Sequence, residues 1–271
     1  TDFSENGLFM GKLLDRLEAV TKGPVRVLGF GPRPDSQQIS SMVLVSWASA
    51  VSKQGFSKIA SLSDAIIVNE NGLTKAKSVA RAKKSEDYIL GIAFETDSGA
   101  QIDVVKEKGG DFFVVNLDQT RVNSMGDGDV SRALVISPDL DEALMRGLED
   151  LPIDILILKC PNSKGSLSLT DLLKISNVRL AMSRYMFIEW NAPLDLRELE
   201  QLRDLGVDGI LADFEKAGVG IIEKLRENID SLPPRKPRHD HKPGPSLSRQ
   251  MENAQSTSHQ HEEDGDLDDD F

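Results

Sequence analysis

Lys159 stands directly behind four apolar residues, Ile155-Leu156-Ile157-Leu158. Desolvation beside an apolar interior favours the neutral amine, and a neutral lysine amine attacks aldehydes and ketones. Carboxylates also follow apolar runs: Glu70 after 65–68, Glu95 after 89–94, and Glu189 within 186–190. Glu70, Glu95 and Glu189 are therefore the candidates to move protons around a Lys159 nucleophile. Together with Asp118 and Asp213 they form a second option. Carboxylates facing one cavity repel unless a cation intervenes, and two or three of them could hold Mg²⁺ for enolate-stabilising chemistry. The amides Asn69, Asn116 and Asn191 fall at equivalent places and suit substrate binding. Gly218 and Gly220 open the last helical stretch, where free N–H groups can meet an anion. Trp47 and Trp190 also follow apolar runs and could line the same region.

All four histidines, His239, His241, His259 and His261, lie near the C-terminus. Residues 1–238 therefore exclude a Ser-His-Asp triad, a Cys-His dyad and a histidine metal site. The single cysteine, Cys160, has no imidazole to activate it and reads as an inert buried thiol.

The elements that must position these groups follow from hydropathy. Eight apolar runs fall at 42–47, 65–68, 89–94, 112–115, 133–136, 155–158, 186–190 and 209–212. Most are continuously apolar, as parallel strands buried on both faces require. Helical periodicity fills 51–62, 72–83, 98–108, 139–149, 169–183, 195–204 and 218–230. Strand–helix alternation predicts a parallel α/β sheet. Every second run opens on an aspartate, at Asp64, Asp111, Asp154 and Asp208. Eight strands with an odd/even alternation favour a closed (β/α)8 barrel over an open doubly wound sheet. In a barrel the functional groups sit where strands end. The four aspartates open strands, so they read as stability or turn residues. The helical pattern at 8–20 and a strand at 25–30 would cover the N-terminal end. One unit breaks the rule: 116–131 reads as a loop, with Asp127 and Asp129 in a candidate lid.

GVDGILAD at 206–213, behind an amphipathic helix ending in Gly206, resembles the last repeat of phosphate-binding (β/α)8 barrels. The resemblance implies a small-molecule lyase, isomerase or synthase. The chain departs from that pattern at its phosphate loops, with Glu189-Trp190-Asn191-Ala192-Pro193 and Asp213-Phe214-Glu215 where glycine-rich turns stand in such barrels. Lys159 on the sixth strand is similar in placement to the Schiff-base lysine of barrel-type class I aldolases. That similarity implies attack of Lys159 on a carbonyl substrate.

Of the 271 residues, 44 are Asp or Glu and 32 are Lys or Arg, a net charge of −12. The acidic body disfavours nucleic acid, and no apolar run spans a bilayer. One cysteine and no secretory leader fit a cytoplasmic protein. Residues 233–271 are rich in Pro, Ser, Gln, His and charge, and read as a disordered tail. The domain expectation is an N-terminal helix and cap at 1–41, a barrel at 42–232 and an acidic tail at 233–271. The functional expectation is a small-molecule lyase or isomerase acting on a carbonyl or carboxylate metabolite. The alternative is a catalytically silent barrel that docks a protein partner through its tail.

Overall fold

Continuous apolar runs need two cores to bury them, and the fold supplies both. In a computed structural model the described residues are 11–22, 40–49, 53–72, 89–94, 101–125, 130–160 and 165–235. Eight parallel strands close into a barrel in sequence order. They are β1 (Val43–Trp47), β2 (Ala65–Asn69), β3 (Ile89–Ala93), β4 (Phe112–Asn116), β5 (Ser131–Ile136), β6 (Ile155–Lys159), β7 (Tyr185–Glu189) and β8 (Gly209–Asp213). The (β/α)8 architecture is therefore as expected, and the open sheet is excluded. Alternate residues point to opposite faces. One row, including Val45, Ile67, Val114, Ile157 and Leu211, fills the barrel. The other, including Leu44, Ile66, Phe113, Leu156 and Ile210, meets the surrounding helices.

Those helices are α2 (Lys53–Leu62), α3 (Gln101–Glu107), α4 (Glu142–Leu148), α5 (Leu169–Ala181), α6 (Leu196–Leu205), α7 (Phe214–Ala217) and α8 (Val219–Asp230). α5 and α6 start at capping boxes, Ser168 with Asp171 and Asp195 with Glu198, which satisfy amides the first turn leaves open. Gly206 ends α6 at φ 99°, the left-handed conformation a glycine adopts without a Cβ penalty. α1 (Lys12–Lys22) precedes the barrel. Its Leu13, Leu17 and Val20 join the inner core, and Arg16 bonds Asp64 at 2.9 Å at the N-terminal end of the strands. α1 thus packs into the N-terminal end of the barrel. The strand expected at 25–30, nearly all of the helix expected at 72–83, and the lid aspartates Asp127 and Asp129 lie outside the described residues.

The strand-opening aspartates explain the closure. Passing from an odd strand to the next even one, pairing begins two residues in: Val45↔Ala65, Gly91↔Phe112, Ala133↔Ile155 and Phe187↔Gly209. Passing from even to odd, strands start level: Ala65↔Ile89, Phe112↔Ser131, Ile155↔Tyr185 and Gly209↔Val43. Four steps of two residues make the stagger of about eight that a (β/α)8 barrel needs. At each step the odd strand offers an N–H that has no strand opposite it. The aspartate fills the gap: the amides of Leu44, Leu90, Arg132 and Met186 donate to Asp64, Asp111, Asp154 and Asp208 at 2.8–3.0 Å.

The structured body runs past the expected boundary at Leu232. Arg235 pairs with buried Asp208 at 2.8 Å, and Arg203 donates to the Pro233 carbonyl at 2.7 Å. Residues 233–235 therefore belong to the barrel. The rest of the expected tail, 236–271, lies outside the described residues.

Candidate active site at the barrel mouth

Where the inward row reaches the C-terminal strand ends, its residues turn from apolar to polar. Val135, Ile157 and Leu211 floor a cavity of about 230 Å³. Trp47, Asn116, Lys159, Glu189, Asp213 and Lys216 form its walls and rim. Register brings these groups together: Lys159 is opposite Glu189 across β6–β7, and Asp213 opposite Trp47 across β8–β1.

Three of these residues and their neighbour Asn191 make a closed hydrogen-bonded ring. Lys216 Nζ donates to Glu189 Oε1 at 2.9 Å and lies 2.7 Å from Asp213 Oδ2. Asn191 Nδ2 donates to the same Glu189 Oε1 at 3.1 Å, and Asn191 Oδ1 accepts the Asp213 N–H at 2.7 Å. Burial alone would pull the Lys216 ammonium down, but its bonds to Asp213 and Glu189 outweigh that and hold it above the usual lysine range. Lys216 thereby neutralises two carboxylates that would otherwise repel. This is the task the sequence reading gave to Mg²⁺. Among the described residues no three His, Cys, Asp or Glu side chains gather as a metal site.

The ring leaves two groups uncommitted. Glu189 Oε2 accepts no hydrogen bond from a described residue, and Lys159 makes no ion pair with one. Lys159 is solvent-exposed at the end of β6, rather than enclosed by the apolar interior. Its amine reaches the cavity from the rim.

The other expected site residues go elsewhere. Glu70 sits in a short turn after β2 and is held by Lys108 at 2.7 Å, away from the mouth cavity. Glu95 lies outside the described residues. Asn69 ends β2 but does not line the cavity, whereas Asn116 does. Asn191 is buried and positions Glu189 and Asp213 from behind. Gly218 and Gly220 lie at the junction of α7 and α8, outside the cavity lining. Gly218 takes φ 73° there, so its place follows from backbone geometry. Asp118 is exposed in the turn after β4, and Asp139 pairs with Lys174 at 2.7 Å. Trp47 faces the mouth; Trp190 is fully buried in the outer core. Cys160 is buried, and desolvation pushes its thiol up to about 12.

Lys216 was missed because KAGVG draws attention to its glycines. The signal available was a lysine three residues beyond Asp213, which places both charges on one side of the first helical turn.

The fold defines the class: an eight-stranded barrel of the TIM type. No protein-family model matches the chain, and no curated protein does. Solved structures of the same architecture do. A protein of Aquifex aeolicus VF5 superposes with a TM-score of 0.57 at 11% identity, covering 81% of this chain and 99% of that one. A mutant tryptophan synthase alpha-subunit from Pyrococcus furiosus gives 0.53 at 12% identity, over 70% and 97%. A thiamine phosphate pyrophosphorylase from the same organism gives 0.50 at 10% identity, over 70% and 96%. At such identities the likeness concerns fold alone. Among the described residues no helix is long and apolar enough to cross a membrane.

Proposed function

We propose that this barrel is a small-molecule enzyme, a lyase or isomerase in which Lys159 forms a Schiff base with an aldehyde or ketone. The observation that carries the reading is the shared cavity: Lys159, Glu189, Asp213 and Lys216 line one pocket at the strand ends, where barrel enzymes work. The free-base form of the Lys159 amine adds to the carbonyl carbon, and the carbinolamine loses water to give an iminium. The iminium draws electrons from the adjacent carbon. Glu189, with Oε2 unbonded to any described residue, takes the proton that this carbon or its hydroxyl releases and later returns it. Lys216 holds Glu189 in place for that task. The apolar floor of Val135, Ile157 and Leu211 suits the carbon skeleton of a small substrate.

Borohydride trapping with a panel of keto acids and aldehydes tests this directly. The expected result is a reduced adduct on the peptide carrying Lys159, absent from Lys159→Met. Adduct formation with no member of the panel, or equal labelling of Lys159→Met, would overturn the reading. The alternative, a catalytically silent docking barrel, is favoured by Leu169, Leu173 and Leu180, which lie exposed along α5. It predicts no adduct at all.

A further inference from the structure

Among the described residues, no full helix connects β4 to β5. Between these strands the described chain holds only a turn at 117–119 and one short helical turn at Val122–Ser124. The outward residues Val115 and Leu134, which a helix would otherwise cover, instead line a cavity of about 460 Å³. That size lies within the range of small-molecule sites, roughly 300–1,000 Å³.

The cavity is built rather than left over. Its near wall is fixed by Thr120, whose N–H donates to the Asn116 carbonyl at 3.1 Å and whose Oγ1 accepts the Asn116 N–H at 3.2 Å. Its far wall is held by buried Arg132, which donates twice to the Met125 carbonyl at 3.3 Å. The lining has an unusual composition for a chain that is 28% charged. Val115, Leu117, Val122, Met125, Leu151 and Ile153 dominate it, and none of the described lining residues carries a charge. Its polar groups are the amides of Asn116 and Asn123 and the Thr120 hydroxyl. Three of the eight large apolar residues exposed among the described residues, Leu117, Val122 and Leu151, stand in this one lining.

We propose that this cavity binds an uncharged, largely apolar small molecule, such as a fused aromatic or a branched hydrocarbon group with one amide-bonding polar atom. The described lining, without a charge, offers nothing to an ionic ligand and would desolvate it at a cost, whereas an apolar ligand covers the apolar side chains there. The site is distinct from the Schiff-base mouth and does not depend on it. Among the described residues, only Asn116, at the end of β4, borders both cavities.

The probe is N-phenyl-1-naphthylamine, which is neutral and fluoresces on leaving water. Titrated into the full chain, it is expected to bind saturably at one site. Val122→Glu and Leu151→Arg, both at surface-exposed positions, should weaken binding tenfold or more without lowering the melting temperature. Leu180→Glu, on the separate α5 surface, and Lys159→Met should leave it unchanged. Absence of saturable binding overturns the proposal, as does loss of binding in Leu180→Glu but not in Val122→Glu. A dimer in light scattering that Val122→Glu dissociates would also overturn it, by showing that a second copy covers the cavity.

Discussion

A lysine between two carboxylates, Lys216, decides the electrostatics of the mouth. It is nearly half exposed, so solvent screening limits what Lys216→Met costs to about 1 kcal/mol. Its ammonium is held above the usual range. That contribution is therefore complete below the unfolded lysine value of about 10.4 and is lost as pH rises through the folded one. Urea unfolding of Lys216→Met against the parent chain should show the difference at neutral pH and its disappearance in strong alkali. Cys160 follows the same sign. Its thiol is pushed up by burial to about 12, above an unfolded value of about 8.5. Between those values the unfolded chain ionises and the folded one does not, so stability falls. Iodoacetamide at about pH 8.5 should label Cys160 in urea and leave it unlabelled in the native protein. At this scale the sequence was half legible. Lys159, Glu189, Asn116 and Asp213 come together because strand ends share a rim, which alternation reveals. That Lys108 draws Glu70 away and that Lys216 closes the ring depend on rotamers and helix packing, which spacing along the chain does not carry.

Strands and helices were the most legible level. Continuous runs such as Ile155-Leu156-Ile157-Leu158 encode burial on both faces, and all eight appear as strands within two residues of their expected ends. The strand-opening aspartates were visible as a repeat and readable as structural. Their bond to an amide of the preceding strand was not, because it needs the register. Asp154→Asn keeps the shape and removes the charge that strengthens the Arg132 N–H bond. It should cost about 1–3 kcal/mol, measured as a lower melting temperature. Register also explains two inner-core contacts. Gly91 faces Phe112 and Gly209 faces Phe187, and a Cβ at either glycine would fall within 3 Å of the ring. Each phenylalanine thus occupies the volume its glycine partner leaves open.

At the scale of the whole molecule, the lower end of the barrel is sealed twice. α1 fills it with Leu13 and Leu17, and the chain returns at 233–235 to bring Arg235 onto Asp208. Composition hid that return, because Pro233-Pro234-Arg235 has the character of a linker. The buried carboxylate of Asp208, with the carbonyls of Arg203 and Val207, gives the arginine a reason to fold in. Arg235→Met strips a charge partner from a site where both side chains are almost fully buried. It should lower stability by about 3 kcal/mol in denaturant titration, and a chain cut after Leu232 should behave alike.

The alternation of stepped and level strand junctions has a consequence for how the ring can be opened. Each odd strand and its even successor form a tile with level outer edges, and the circle is four such tiles laid side by side. Fresh termini placed between β4 and β5, with the old ends joined, would cut along a tile edge and spare every carboxylate strap. Fresh termini between β5 and β6 would divide a tile and leave Asp154 to hold its neighbour without a covalent link. The permuted barrels should differ in stability accordingly.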